Sequence, residues 1–192
     1  MQWCEKYKPT KLSDVCGHES SIKRIRRFFE HFGRGNKCLV ITGKNGIGKT
    51  LLASLVPIDI GYEVKYVIEK YDKKSYGNNL KNVLSTSSFF SKPTKPSVAV
   101  YESFYVKNLK DDMKLISNSK MAVIFVADMD ELQTHKNIKR ISDVICLKEP
   151  TINDVKPLLR YAKIKIKDAQ LYNGDIRAML LNAQTNSVDG KD

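Results

Sequence analysis

Five short apolar runs punctuate the chain: Cys38–Thr42 (CLVIT), Glu63–Ile68 (EVKYVI), Val98–Tyr101 (VAVY), Met121–Val126 (MAVIFV) and Asp143–Leu147 (DVICL). Most are nearly continuous in apolar residues rather than alternating, which marks strands buried on both faces of a parallel sheet. The stretches between them have helical or loop character. Residues 20–33 carry Ile22, Ile25, Phe29 and Phe32 on one stripe at helical spacing, with Lys23, Arg24, Arg26 and Arg27 on the other faces. Leu51–Val56 opens a helix that Pro57 is expected to stop. Leu80, Val83 and Leu84 mark a short helix, and Val106, Leu109, Met113 and Ile116 a clean helical stripe. Polar, Lys- and Ser-rich stretches at 70–79 and 85–96 read as loops. Strands alternating with helices predict an α/β class: a five-stranded parallel sheet flanked by helices, with ligand at the carboxyl ends of the strands.

The two ends differ from this middle. Residues 1–17 read as an extended arm with two aromatic anchors, and Pro9 disfavours helix at Lys8. The pattern changes at Glu149-Pro150. Thr151 with Asp154 resembles a capping box, followed by an apolar face of Ile152, Val155, Leu158 and Leu159. Pro157 is expected to kink or restart that helix. A second helix runs through Ile176, Leu180 and Ala183, after Gly174-Asp175. The expected division is a core over 1–150 and a small helical lid over 151–192, with a frayed tail from Thr185.

Between the first strand and the helix after it lies Gly43–Thr50, GKNGIGKT, which fits the phosphate-binding pattern GxxxxGK[ST]. Glycines at 43, 46 and 48 let the backbone turn tightly with its N–H groups inward, an anion site at a helix N-terminus. Lys49 then reaches the β- and γ-phosphates, and the Thr50 hydroxyl holds Mg²⁺. Strand, Gly-rich loop and helix is the context this motif requires.

Charge and thiols narrow the surroundings. The 192-residue chain has a formal net charge of +12. That points to a polyanionic partner, nucleic acid first and acidic membrane second, or else to a lysine-rich composition with solvated faces. The basic side of the 20–33 helix has the same two readings, a solvated face or a phosphate-facing one. No apolar run approaches a membrane span, and MQWCEKYKP lacks a signal-peptide core. Four cysteines form no CxxC pair, and with three histidines there is no metal-ligand spacing, so they read as reduced thiols of an intracellular protein.

Hydrolysis needs more than a grip on phosphate. An acid at a neighbouring strand end must help hold Mg²⁺, and a carboxylate must orient water. After Val98–Val100 the chain supplies Tyr101-Glu102, one carboxylate where two are wanted. Glu102 is placed to polarise water, whereas Tyr101 is uncharged near neutral pH. The expectation is ATP binding with slow or absent hydrolysis. The fourth strand ends Val126-Ala127-Asp128, where a polar residue would sense the γ-phosphate. Ala127 cannot do so, and Asp128 is the candidate. Arg177 begins the last helix. By pattern alone it is an exposed helix arginine; folded down, it would couple the lid to the γ-phosphate.

Together these pieces resemble a family. WCEKYKP at 3–9 and LSDVCG at 12–17 look like the N-terminal adenine-side box of replication factor C clamp loaders, and GKNGIGKT falls where their Walker A loop does. LLASLVPIDIGY at 51–62 resembles the large subunit, and GDIR at 174–177 is similar to the sensor 2 motif. The resemblance implies an AAA+ core plus lid that uses ATP and Mg²⁺. Its partners would be other clamp-loader subunits, a sliding clamp and primer–template DNA, with no membrane, in the nucleus or at a viral replication site. Carried over by motif, Tyr7, Pro9, Val15 and Gly17 would line the adenine pocket. Asn45, Gly46, Ile47, Gly48, Lys49, Thr50 and Leu51 would wrap the phosphates. Glu102 would be the Walker B glutamate, Arg177 the sensor 2 arginine, and Lys73, Lys74 and Ser75 a helix start facing DNA phosphate. The sequence departs from the family at Tyr101 (for the Walker B aspartate), at Ala127 (for the sensor 1 asparagine) and at Lys139–Asp143, which lacks the arginine-finger motif. The likeness stops before the family's collar domain. Three other readings stay open: an inactive AAA+ scaffold, a nucleic-acid-binding module with a vestigial nucleotide site, and a P-loop small-molecule kinase, against which the N-terminal box argues.

Overall fold

The computed structural model describes residues 1–67, 83–84, 95–102, 109–128, 141–166, 169 and 174–189. All five predicted strands are present: β1 Cys38–Thr42, β2 Glu63–Val67, β3 Ser97–Tyr101, β4 Ala122–Ala127 and β5 Ser142–Cys146. They form one parallel sheet in the order β2-β3-β4-β1-β5. β1 lies between β4 and β5, and Thr42 pairs with Ala127 on one side and Cys146 on the other. That register places the residues after β1 and after β4 side by side at the carboxyl edge.

The strands alternate between two cores. Leu39 and Ile41 of β1 and Ile124 and Val126 of β4 pack with α2 (Glu19–Glu30) and α3 (Lys49–Asp59) on one face. Cys38 and Val40, with Val123 and Phe125, pack with Ile116 of α4 (Leu109–Asn118) on the other. Both faces are covered over the three central strands, which is why β1, β3 and β4 read as nearly unbroken apolar runs while the edge strands β2 and β5 keep exposed polar positions. Ile25, Phe28 and Phe29 hold α2 to the sheet, and Ile25 is fully buried. Each such side chain contributes about 1.5–3 kcal/mol. The Arg26–Asp59 ion pair between α2 and α3, with both partners some 40% exposed or more, adds at most about 1 kcal/mol. Apolar packing therefore fixes α2, and the basic side of that helix is exposed at Lys23, Arg24, Arg26 and Arg27.

Beyond β5, α5 (Ile152–Ala162) and α6 (Ile176–Asp189) share a third apolar cluster built on Val155, Leu159, Met179 and Leu180. Trp3, Tyr7 and Cys16 of the N-terminal segment pack against it.

Four local expectations need correction. The chain does not fray from Thr185, since α6 continues to Asp189. Pro57 does not stop its helix, since α3 continues to Asp59. The proline stands in the last turn, where it removes only the bond to the Ala53 carbonyl, while its own carbonyl accepts from Tyr62 N at 2.9 Å. Pro157 does not restart α5, which runs unbroken to Ala162. The carbonyl it leaves unbonded belongs to Asn153, which is exposed to water. The N-terminal arm is not wholly extended. Residues Trp3–Lys6 wind one helical turn, α1, and Leu12–Asp14 a 3₁₀ turn. Pro9 restricts only Lys8, and α1 ends before it. Its first amide is satisfied from a distance, with Trp3 N donating to Gln184 Oε1 at 2.7 Å. The predicted helix around Leu80 lies mostly outside the described residues, though Val83 and Leu84 are helical.

Candidate phosphate site

The loop from Gly43 to Thr50 leaves β1 at the sheet's carboxyl edge and enters α3. Gly46 and Gly48 have φ of +72° and +103°, a region where a side chain is strained. Gly48 is the N-cap of α3 and offers no side-chain cap, and the first turn carries no acidic residue. The leading amides of α3 are thus left to an anion. Thr50, half-buried, is the second residue of that helix.

Lys49 is the best-connected side chain of the loop. Its ammonium donates to Gly43 O at 2.8 Å, Lys44 O at 3.0 Å, Asn45 Oδ1 at 3.2 Å and Asp128 Oδ1 at 2.7 Å. Asp128 directly follows β4. Strand alternation explains its position: Val126 faces the α3 side and Ala127 the α4 side, so the next residue returns to α3. The same alternation buries Tyr101 on the α4 side, its ring 5.0 Å from that of Phe125. Glu102, one residue beyond β3, is exposed.

Two further segments close on the loop. His18, the left-handed N-cap of α2, holds Ile47 O through Nε2 at 2.9 Å. At its neighbour Gly17, a β-carbon would lie 3.4 Å from Asp154 Cβ, ordinary contact. The LSDVCG segment and the residue after it therefore lie between the phosphate loop and α5. Asp154 completes the predicted capping box: its carboxylate accepts from Thr151 N at 2.7 Å and Thr151 Oγ1 at 2.8 Å. The Thr151 backbone bond, then the hydroxyl bond, hold the Asp154 carboxyl below its usual range. Burial pushes the Cys16 thiol up, opposed by a backbone hydrogen bond from Leu158.

From the other side comes the start of α6. Asp175 Oδ1 accepts from Ala178 N at 2.8 Å, and the same carboxylate sits so close to Gly46 that a β-carbon there would collide with it. The contact between the GDIR segment and the loop runs through Asp175. Arg177 is exposed, with no hydrogen bond or ion pair among the described residues.

Of the residues named from sequence, Gly43–Leu51 are drawn together at one edge. Tyr7 lies instead in the α5–α6 cluster, its ring 5.8 Å from that of Tyr161, and Val15 packs on the α2–α3 core. Pro9 is half-buried. Lys73, Lys74 and Ser75 lie outside the described residues, as do Lys139 and Arg140. His18 and Asp175 were not singled out by sequence, because their partners are 29 and 129 residues away in the chain.

The donors fit a nucleotide's phosphates: three glycines at positive φ, uncapped helix amides and a nearly buried ammonium. Thr50, which would hold Mg²⁺, stands at the head of α3, and no cluster of three metal-ligating side chains occurs among the described residues. A metal here would take most of its oxygens from phosphate and water. No helix among the described residues is long and apolar enough to cross a membrane.

Comparison with known proteins agrees with this geometry. The Rad17 P-loop domain family matches residues 1–160. The replication factor C large subunit of Thermococcus kodakarensis is 26% identical over 206 residues, covering 98% of this chain and 41% of that protein. A protein of Acanthamoeba polyphaga mimivirus, provisionally named a replication factor C large subunit, is 25% identical over 235 residues, covering 92% of this chain and 44% of its own length. The chain thus spans about two fifths of these relatives. A closed-state cryo-EM reconstruction of Hsp104 with ATPγS and FITC casein superposes with a TM-score of 0.59 at 19% identity, covering 98% of this chain and 39% of that one. The fold is that of a P-loop AAA+ domain.

Proposed function

The chain belongs to the Rad17 P-loop domain family, and on that premise we propose that it is an ATP-binding subunit of clamp-loader type acting in DNA replication. It would work with other loader subunits, a sliding clamp and primer–template DNA, at an intracellular replication site. The observation that carries the reading is the convergence on Lys49 and the head of α3. The backbone from Asn45 to Leu51 cradles the phosphates, and Lys49 supplies charge to the β- and γ-oxygens. Thr50 would offer its hydroxyl to Mg²⁺, which would supply positive charge against the phosphates. Tyr7, Pro9, Val15 and Gly17 form the adenine side. Residues 1–150 act as the core and 151–192 as a helical lid, with Arg177 turned to the γ-phosphate when the lid closes. Lys73, Lys74 and Ser75 meet DNA phosphate.

Hydrolysis in this reading is weak. Glu102 is the one carboxylate at the end of β3, and Tyr101 is committed to the core against Phe125. That burial also favours a second reading, a non-hydrolysing AAA+ scaffold that binds clamp or loader subunits. Binding of a fluorescent ATP analogue, compared with Lys49→Ala, tests the site: the variant should lose tenfold or more in affinity, on the order of 1.4 kcal/mol. Equal binding would refute the site. Steady-state ATPase with DNA tests the chemistry. Turnover of about one per second, abolished in Glu102→Gln, would refute weak hydrolysis and the scaffold reading together.

A further inference from the structure

We propose that Asp128 is a latch on the phosphate loop, which nucleotide must displace from Lys49 before the site can fill. The proposal rests on the reading of this loop as an ATP site and adds a means of regulating it. An ammonium has three protons, yet four oxygens surround Lys49 Nζ within 3.2 Å: two loop carbonyls, Asn45 Oδ1 and Asp128 Oδ1. Every proton is already committed, so a phosphate oxygen gains one only by exchange. Asp128 makes the shortest contact, at 2.7 Å, and is the only charged partner among the described residues. It is also able to leave, as is the exposed Asn45 side chain, and of the two it alone carries a charge for the ammonium. The Lys49 side chain is 10% exposed and that of Asp128 48% exposed, so the carboxylate can swing into water while the lysine stays in the loop. The two loop carbonyls belong to the turn itself and cannot leave without remaking it. An arriving triphosphate meets a carboxylate of its own sign at the one cation it needs, and repulsion adds to the cost of exchange. Residue 128 thus tunes how readily the loop accepts anions, as well as being a possible sensor of one.

The test is nucleotide affinity of Asp128→Asn, which keeps the shape and removes the charge. Fluorescent ATP binding is measured with EDTA and again with Mg²⁺, beside wild type and Lys49→Ala. The latch predicts that Asp128→Asn binds about three- to tenfold more tightly than wild type in both conditions, the scale of a half-exposed ion pair plus relieved repulsion. Asp128→Ser, smaller and also neutral, should shift affinity the same way, which covers the case of a poorly folded asparagine variant. If the neutral variants bind more weakly only in Mg²⁺, Asp128 is a metal ligand and the latch is wrong. If wild type binds, Lys49→Ala does not, and the neutral variants match wild type, the latch alone falls. If no form binds nucleotide, the latch and the ATP site fall together.

Discussion

Gly46→Ala tests the juxtaposition on which the site depends, that of the phosphate loop with the start of α6. The substitution acts twice. At φ +72° an alanine costs about 1–2 kcal/mol relative to glycine. The added β-carbon also meets the Asp175 carboxylate, which must move. That carboxylate caps α6 through Ala178 N, and losing such a cap costs about 1 kcal/mol. Gly46→Ala should therefore destabilise the protein by about 2–3 kcal/mol, measured by urea unfolding. Asp175→Ala alone should cost about 1 kcal/mol, the cap. In the double variant the collision is gone and only backbone strain is added, so the two effects should fall short of additivity by about 1 kcal/mol. Full additivity would refute the contact between Gly46 and Asp175. A cost for Gly46→Ala below about 0.5 kcal/mol would refute the left-handed loop itself.

Other consequences are simpler. Thr42 is 1% exposed at the end of β1, and its hydroxyl has no partner among the described residues, so Thr42→Val should raise stability by about 1 kcal/mol in the same unfolding assay. Thr151→Ala should cost about 1 kcal/mol through the α5 capping box. Folding lowers the Asp154 carboxyl below its usual 3.8, so this cap contributes fully above that pH and is lost as pH falls through the folded value. Acid unfolding curves should therefore lie closer together for variant and wild type below about pH 3.8 than at pH 6. Burial drives the Cys38 thiol far up, so alkylation followed by mass should leave Cys38 unmodified in the native protein and modified in denaturant. Primer–template affinity should weaken steeply with salt, and charge reversal at Lys73 and Lys74 should flatten that slope by about two.

The strands were legible because a parallel sheet covered on both faces leaves no polar face to interrupt the pattern. The phosphate loop was legible because its requirements are local: glycine where φ is positive, lysine and threonine where the helix begins. The prolines misled because the rule against helix-interior proline prices one carbonyl: Pro57 stands in the last turn of α3, and the carbonyl lost to Pro157 belongs to the second residue of α5. The one-turn helix at the N-terminus was invisible because its cap, Gln184, is supplied by α6. Likewise nothing in GDIR reveals that the aspartate, rather than the arginine, lies against Gly46.

Asp128 stands between these cases. Sequence named it as a candidate once Ala127 was ruled out, and the reason it meets Lys49 is contained in the pattern of β4. Ile124 and Val126 face α3, and Val123, Phe125 and Ala127 face α4, so the next residue must return to the loop side. The β1–β4 register then sets it beside Gly43, since Thr42 and Ala127 are paired. The same count applied to β3 turns Tyr101 to the α4 side, into the core. Tyr101 packs there on Phe125, where a carboxylate left unpaired would carry a far larger burial cost. The acid that meets Lys49 therefore comes from the residue that directly follows β4.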